Sequence, residues 1–268
     1  EPASPLLSDK FLDAKVRLHR RLIEEINLSA LEKLPEDDMK RHIQQLVTQY
    51  IVVERLAPNY AGCVVKEIPR PEPGPGEVRI RVKAAGLNYA DIMQREGLYP
   101  GGPKAPFGAG FEVAGLVDAV GEGVTLWSPG DAVMGFCQNG YSEYVIAPAA
   151  QTMPKPEQLD FAQAAAVPCQ YLTAYHALLT LGRLSAGQTV LIQAAAGGLG
   201  SLMVQIARNV GATVIGTCGS DEKCPVLREL GCHYPINYTT GDFVAGVKSI
   251  TKGKGCDLII ESVGGEIF

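Results

Sequence analysis

The chain has 268 residues, of which 46% are hydrophobic and 20% charged, so we expect a globular protein of two domains and exclude a disordered chain. Its net charge of −5 argues against nucleic acid or an anionic membrane as the main partner. The seven cysteines are scattered and odd in number, and neither a signal peptide nor a membrane span is recognisable, which predicts a reduced, cytoplasmic protein.

The first 50 residues differ from the rest because they contain none of the 30 glycines. Apolar residues recur at helical spacing over residues 10–27, Ser29 and Glu32 fit a capping box, and a second apolar face extends from Met39 to Tyr50. We predict a helical extension over residues 1–50. The stretch FLDAKVRLHRRLIEEINLSALEKLP resembles the N-terminal helical region of pilus-assembly secretion ATPases, and either a fused segment or an extension packed on the remaining chain fits it.

From Ile51 the pattern changes to short strands separated by Gly and Pro turns, which is typical of a compact β-rich domain. In Glu77–Ala84, apolar residues alternate with charged ones, which predicts a strand with one buried face. The apolar stretch Phe161–Leu181 contains Pro168 and polar residues, so it predicts a pair of buried segments and not a membrane span. The predicted strands are Ile51–Leu56, Cys63–Ile68, Glu77–Ala84, Gly110–Val120, Asp131–Gly135 and Tyr141–Ile146.

The stretch TVLIQAAAGGLG, residues 189–200, predicts a dinucleotide-binding turn between a buried strand and a helix. Ala195, Gly197 and Gly200 occupy the three positions of the glycine fingerprint, which serve a tight turn, close approach to a pyrophosphate, and close packing of helix on strand. The helix N-terminus would offer unpaired N–H groups to the phosphates. A merely glycine-rich turn is the alternative.

Strands and helices alternate after this turn, which predicts a parallel sheet. The predicted strands are Thr189–Gln193, Thr213–Thr217, Tyr234–Asn237 and Asp257–Glu261, and the predicted helices are Leu199–Val210, Asp221–Leu230 and Asp242–Ile250. Because a dinucleotide-binding sheet usually has six strands, we expect this sheet to be cut short at its C-terminal end.

From about Val52 the chain resembles the medium-chain dehydrogenase/reductase superfamily. Three stretches carry the resemblance: GLNYADIMQREGLYP (86–100), AAAGGLG (194–200), and VIGTCGSDEK (214–223) with PINY and ESVGG. Together they resemble the zinc-free quinone and enone reductases, most closely the prostaglandin-reductase branch that reduces 15-keto-prostaglandins. The resemblance implies an α/β fold with a GroES-like β-rich catalytic domain over residues 51–172, a partial Rossmann domain over 173–268, and a cofactor between them.

A zinc site is not expected. Zinc-using relatives carry a cysteine where this chain has Asn88, and a Gly-His-Glu triplet where it has Gly110-Phe111-Glu112, and neither Asn nor Phe is a zinc ligand. The four-cysteine structural loop is also missing, and Cys169 in its apolar segment is more typical of a core thiol. We therefore predict a metal-free protein.

The end of the second strand of the parallel sheet predicts NADPH as the cofactor. Thr217, Cys218 and Gly219 stand where an NAD enzyme usually has an acid, and Lys223 within one turn would contact a 2′-phosphate, although Asp221 and Glu222 count against this. By resemblance, three further positions match NADP contacts or face the phosphates, and Gly219 falls where relatives use serine. The predicted cofactor-binding residues are Ala195, Gly197, Gly198, Leu199, Gly200, Gly219, Ser220, Lys223, Tyr238 and Ser262.

The resemblance implies hydride transfer from the nicotinamide to the β-carbon of an enone, or to a quinone. Negative charge then develops on the substrate oxygen, which needs hydrogen-bond donors in the absence of zinc. Asn88 and Tyr99 are the predicted catalytic residues, with Tyr89 a further candidate, because their stretch resembles the family's active-site loop. Asn88 would position the nicotinamide or the carbonyl, and Tyr99 or solvent would supply the proton. A turn asparagine and partly buried aromatics are the alternative.

The expected partner is therefore a small-molecule enone or quinone, with no nucleic acid and no membrane, and a homodimer is expected in full-length relatives. A second hypothesis is a truncated, non-catalytic fragment. In that case the incomplete sheet would leave an edge strand exposed, and the chain would act as an interaction module.

Overall fold

A computed structural model describes residues 47–58 and 60–264, except for the side chain of Val47. The chain divides into two compact units, Glu1–Ala166 and Val167–Phe268. The predicted helical extension lies, up to residue 46, outside the described part, so its helices and its resemblance to secretion ATPases stay predictions.

Strand β1 (Val47–Val53) begins inside the predicted second helical face. It pairs antiparallel with β2 (Cys63–Pro69) over its whole length, from Val47 opposite Pro69 to Val53 opposite Cys63. The helix prediction is therefore wrong for residues 47–50. The β-branched residues of this segment suit a pleated surface, and pairing with β2 buries Val52 and Val53 to 3% and 1% exposure.

The strands in the described part of the first unit form two antiparallel sheets. The strands after β2 are β3 (Glu77–Ala85), β4 (Phe107–Gly108), β5 (Glu112–Val120), β6 (Ala132–Phe136), β7 (Tyr144–Pro148) and β8 (Thr152–Pro154). Strands β1, β2 and β4 form a three-stranded sheet in the order β2-β1-β4, and the other five form a sheet in the order β7-β3-β5-β6-β8. This confirms the predicted β-rich character.

The alternation predicted for β3 is correct at its apolar positions, since Val78 and Ile80 are fully buried. Arg79 departs from the pattern, because it is only 9% exposed. Its Nε lies 2.7 Å from Asp118 Oδ2 on β5, and its guanidinium also reaches Glu72 Oε1 at 2.8 Å. A paired guanidinium can be buried where a lone one cannot.

The α-helices in the described part of the first unit are α1 (Tyr89–Glu96) and α2 (Phe161–Ala165). Helix α1 was not predicted. It begins after Asn88, whose backbone is extended, and ends at Gly97 with a left-handed φ of 75°, a conformation that glycine adopts without strain.

The second unit contains the predicted parallel sheet. Its strands are β9 (Thr189–Ile192), β10 (Thr213–Cys218), β11 (Tyr234–Asn237) and β12 (Leu258–Ile260). They lie in the order β11-β10-β9-β12, with every pairing parallel, so the predicted α/β fold class is confirmed. The helices are α3 (Pro168–Tyr175), α4 (Gly198–Val210), α5 (Lys223–Glu229) and α6 (Phe243–Ile250).

The apolar stretch before β9 forms α2, α3 and a π-helical segment, His176–Leu181. The expectation that the whole stretch is buried is wrong, because Tyr171, Leu172 and Tyr175 are 42% to 46% exposed. Helix α3 buries only one face, including Ala174, so its other apolar residues face outward. Within the described ranges, no helix is long and apolar enough to cross a membrane.

Candidate functional site

Asn88 is held at the start of α1 by two acidic residues. Its side-chain Nδ2 donates a hydrogen bond to Glu112 Oε1 at 2.8 Å, and its backbone N–H donates to Asp91 Oδ2 at 2.8 Å. The residue is 8% exposed. Asn88 is thus fixed at both its backbone and its amide, which a free turn asparagine would not be.

Glu112 is the first residue of β5 and is fully buried, with its carboxyl group packed against the backbone of Gly86. A Cβ added at Gly86 would clash with Glu112 Oε1, and the Gly86 N–H donates to the Glu112 carbonyl at 3.2 Å. Glycine is therefore required at position 86 for the close approach. Burial raises the pKa of the neighbouring Cys137 thiol to about 12, and the Glu112 charge adds to this rise.

Asp91 is the second acid in this network. Burial raises the pKa of its carboxyl, while hydrogen bonds from the Asn88 backbone, the Tyr141 hydroxyl and the Gly110 backbone oppose the rise in pKa. Asn88 is thus hydrogen-bonded to both Asp91 of α1 and Glu112 of β5. Sequence reasoning missed Glu112 and Asp91 as members of the site. The Asn-x-x-Asp spacing was a usable signal for Asp91, since it fits a helix N-terminus.

Tyr99 lies in an aromatic cluster beside two cavities of the first unit. Its ring centroid is 6.3 Å from that of Phe111, which stacks on Phe136 at 6.1 Å. Tyr99 lines both cavities, of about 390 Å³ and 570 Å³, whereas Asn88 and Tyr89 line neither. The smaller cavity is lined by Gln94, Tyr99, Gly101, Gly102, Pro103, Phe107, Gly108, Gly110, Phe111, Gln138 and Asn139. Aromatic rings and the amide side chains of Gln94, Gln138 and Asn139 line the same cavity, and a mixture of apolar and hydrogen-bonding groups is typical of small-molecule sites.

The predicted dinucleotide turn has the close packing that its glycines require. A Cβ at Gly200 would clash with Ala194 O and lie 2.7 Å from Ala195 Cα. The left-handed residue of the tight turn is Ala194, with φ of 48°. Ala195, which replaces the usual first glycine, is fully buried. A Cβ added at Gly216 would lie 2.8 Å from the Cβ of Ala195. The missing glycine at 195 is thus matched by a glycine on the next strand.

This turn fits a dinucleotide diphosphate through its backbone. Gly197 caps α4, so the N–H groups of Gly198, Leu199 and Gly200 have no partner within the helix. The Ala195 N–H donates to Thr217 O at 2.8 Å, which anchors the turn to β10. Free N–H groups at the positive end of a helix dipole stabilise a bound phosphate.

The other predicted cofactor residues follow the carboxyl ends of the neighbouring strands, at the same edge of the sheet. A Cβ at Gly219 would lie 2.9 Å from the Tyr238 hydroxyl, so these two predicted residues are in contact. Lys223 and Ser262 are exposed, and Ser220 is half-buried. A serine at position 219 would therefore displace Tyr238.

A buried polar pair supports this edge and was not predicted. The Thr217 hydroxyl donates to Gln193 Oε1, and the two residues are 0% and 3% exposed.

Among residues 47–58 and 60–264, no three His, Cys, Asp or Glu side chains are grouped so that they could hold a metal ion. The expectation of a metal-free protein stays a prediction.

Two family models match the regions just described. The model of the alcohol dehydrogenase GroES-like domain matches residues 74–157, and the model named zinc-binding dehydrogenase matches residues 198–268. The first range contains Asn88, Tyr99 and Glu112, and the second contains the predicted cofactor residues from Gly198 onward.

Several relatives are similar over most of the chain. Identity is 46% over 197 residues to the synaptic vesicle membrane protein VAT-1 homolog of Rattus norvegicus, 41% over 209 residues to 2-haloacrylate reductase of Burkholderia sp, and 39% over 227 residues to prostaglandin reductase-3 of Bos taurus. These matches cover 73%, 75% and 82% of this chain, respectively. The chain spans about half the length of these relatives, with shares of 48%, 62% and 58%.

Two solved structures have the same fold. The CurK enoyl reductase superposes with a TM-score of 0.76 at 33% identity, covering 82% of this chain and 68% of that one. A mycobacterial protein solved as a complex with NADPH superposes with a TM-score of 0.73 at 32% identity, covering 81% of this chain and 67% of that one.

Proposed function

Because the chain belongs to the medium-chain dehydrogenase/reductase superfamily, we propose that it is a zinc-independent oxidoreductase that transfers a hydride from NADPH to an enone or a quinone. The single observation that carries the proposal is the buried Asn88–Glu112 hydrogen bond, at the position where zinc-using relatives would place a cysteine ligand. Relatives named 2-haloacrylate reductase and prostaglandin reductase-3 support the same class of substrate, a conjugated carbonyl compound.

The nicotinamide, when bound, supplies the hydride, and the chain's residues bind and orient the reacting groups. For the phosphates we propose the N–H groups of Gly198, Leu199 and Gly200, which have no partner within α4. For the substrate we propose the cavity of about 390 Å³ beside Tyr99 and Phe111. The phenol of Tyr99, which is 39% exposed, can donate a hydrogen bond to a substrate oxygen there.

The contact with Glu112 favours one of the two roles predicted for Asn88. One of its two amide N–H groups is already donated to the carboxylate at 2.8 Å. A developing oxyanion bonded to the other N–H would lie close to the Glu112 carboxylate, and like charges at this range repel. Positioning of the nicotinamide is therefore the role that fits Asn88, and we assign the substrate oxygen to Tyr99.

Replacing Asn88 with alanine is expected to lower kcat about 100-fold, because misplacement of a reacting group by about 1 Å has an effect of this size. NADPH affinity should weaken much less than kcat falls, since Asn88 would contact only the nicotinamide and the phosphates are bound elsewhere. The measurement is steady-state turnover of an enone and of a quinone, with NADPH affinity from fluorescence titration of the same variant. Fluorescence of Trp127, the single tryptophan, controls for folding of the first unit. Unchanged kcat would remove Asn88 from the mechanism.

Parallel fluorescence titrations with NADPH and NADH test the choice of cofactor. Lys223 is exposed beside the Ser220 turn and can reach a 2′-phosphate, which NADH lacks. Lys223→Ala is expected to weaken NADPH binding about tenfold, or about 1.4 kcal/mol, and to leave NADH binding as it is. Lys248→Ala is the matched control, because Lys248 is an exposed lysine at the end of α6. Equal affinity for both cofactors in the original chain would contradict the preference for NADPH.

A further inference from the structure

Two cysteine thiols lie side by side at the carboxyl end of β10. The Sγ atoms of Cys218 and Cys224 are 3.6 Å apart. Cys218 is the last residue of β10 and is 2% exposed, and Cys224 lies in the first turn of α5 and is half-buried. Both thiols point at one acceptor, the Ser220 carbonyl oxygen, at 3.4 Å and 4.0 Å. The sequence showed only scattered cysteines, so the pairing arises from the fold.

We propose that Cys218 and Cys224 are a redox-modification site, which a peroxide oxidises to a reversible disulfide that changes the loop 219–223 and weakens NADPH binding. The effect on NADPH rests on the proposed function, because this loop carries Gly219, Ser220 and Lys223. The disulfide itself does not depend on that function.

The chemistry balances with one molecule of hydrogen peroxide. The Cys224 thiolate attacks one peroxide oxygen, the O–O bond breaks, and the hydroxide that leaves takes up a proton to form water. The resulting sulfenic acid is attacked by the Cys218 sulfur, the S–O bond breaks, and a second water leaves with the Cys218 proton. The two sulfurs lose two electrons, which reduce the peroxide to two molecules of water.

The half-buried Cys224 is the thiol that peroxide can reach first, and buried Cys218 is placed to resolve it. Burial raises the pKa of the Cys224 thiol, and the neighbouring Cys218 thiol raises that pKa further. Asp221 also raises the pKa of Cys224, and Arg228 lowers it. The thiolate is therefore a minor form at neutral pH, and oxidation is best followed at mildly alkaline pH.

Closing the disulfide must move the start of α5. Bonded sulfurs are about 2 Å apart, so these two must approach by about 1.5 Å. Cys218 is fixed in the sheet, opposite Asn237 on β11, and its carbonyl accepts the Tyr238 N–H at 3.1 Å. The first turn of α5 is bonded to the loop before it, through Lys223 N to Ser220 O at 3.2 Å and Cys224 N to Asp221 O at 3.1 Å, so a shift of Cys224 would move this loop and Lys223 with it. The Ser220 carbonyl loses both S–H donors at the same time, which further changes the loop.

The first test detects the disulfide without any cofactor. The reduced 268-residue chain is treated with hydrogen peroxide and digested with trypsin under non-reducing conditions. Cleavage after Lys223 separates the two cysteines, so the disulfide links the peptides NVGATVIGTCGSDEK and CPVLR. We expect this linked pair in the original chain and not in Cys224→Ser. Cys256→Ser should also give the pair, because Cys256 precedes β12, which lies two strands away from β10 in the sheet. Absence of the pair from the original chain would overturn the proposal.

The second test measures NADPH affinity by fluorescence titration before and after oxidation. The oxidised chain is expected to bind NADPH at least fivefold more weakly, with recovery in dithiothreitol, whereas Cys224→Ser should bind equally before and after peroxide. A linked pair with unchanged NADPH affinity would overturn the regulatory part of the proposal. If the reduced chain binds no NADPH, the proposed function fails, while the peptide test still decides the disulfide.

Discussion

Alanine at position 200 is expected to abolish NADPH binding and to lower the free energy of unfolding of the second unit by about 3 kcal/mol. The added Cβ would clash with Ala194 O and lie 2.7 Å from Ala195 Cα. The turn cannot retreat, because the Ala195 N–H is donated to Thr217 O at 2.8 Å and Ala194 already adopts a left-handed φ of 48°. Helix α4 must therefore move outward and carry its free N–H groups away from the diphosphate.

The matched control is Gly241→Ala, because a Cβ at Gly241 would have nothing within 4 Å. Hydrogen exchange of residues 189–210, read by mass spectrometry, should become faster in Gly200→Ala and stay unchanged in Gly241→Ala. NADPH affinity is measured on both variants by fluorescence titration. Wild-type exchange and affinity in Gly200→Ala would show that α4 does not pack against the turn as described.

The second unit was predictable from the sequence because its signals are local. Strand β11 was predicted at its observed bounds, and β10 to within one residue. Strand β10 is a largely apolar run between a helix end and a turn, which is a local signal. Asp242 was predicted to open α6, and its side chain accepts N–H bonds from Val244 and Ala245 at 2.8 Å and 3.1 Å. A parallel sheet then brings the predicted cofactor residues to one edge.

The site of the first unit was predictable only in part, because its contacts join residues distant in sequence. Asn88 and Tyr99 came from a resemblance, but the partner of Asn88 lies 24 residues away on β5. The Glu112 position had been used only to exclude zinc. Strand β4 has two residues and depends on pairing with Val52 and Val53, so no local pattern marks it. Likewise, no sequence spacing indicates that Cys218 and Cys224 meet.

Glu112→Ala is expected to lower the free energy of unfolding of the first unit by about 3 kcal/mol. The side chain is fully buried, so its removal leaves a cavity, and the Asn88 amide loses the acceptor 2.8 Å away. Catalysis should fall as well, because Asn88 is no longer oriented, and we expect kcat to drop at least tenfold with NADPH affinity retained. Urea unfolding followed by Trp127 fluorescence reports on the first unit, since Trp127 packs in its core.

Two further variants separate the possible causes. Glu112→Gln keeps the shape and one acceptor oxygen, so it should retain more stability and more turnover than the alanine variant, and Glu122→Ala, at an exposed glutamate of the same unit, should behave as the original chain. Burying a carboxylate is itself costly, and its removal can stabilise a protein when the partners are well packed afterwards. If Glu112→Ala is as stable as the original chain, that desolvation cost exceeds the value of the Asn88 bond. A normal kcat in the same variant would then show that Asn88 needs no support from Glu112.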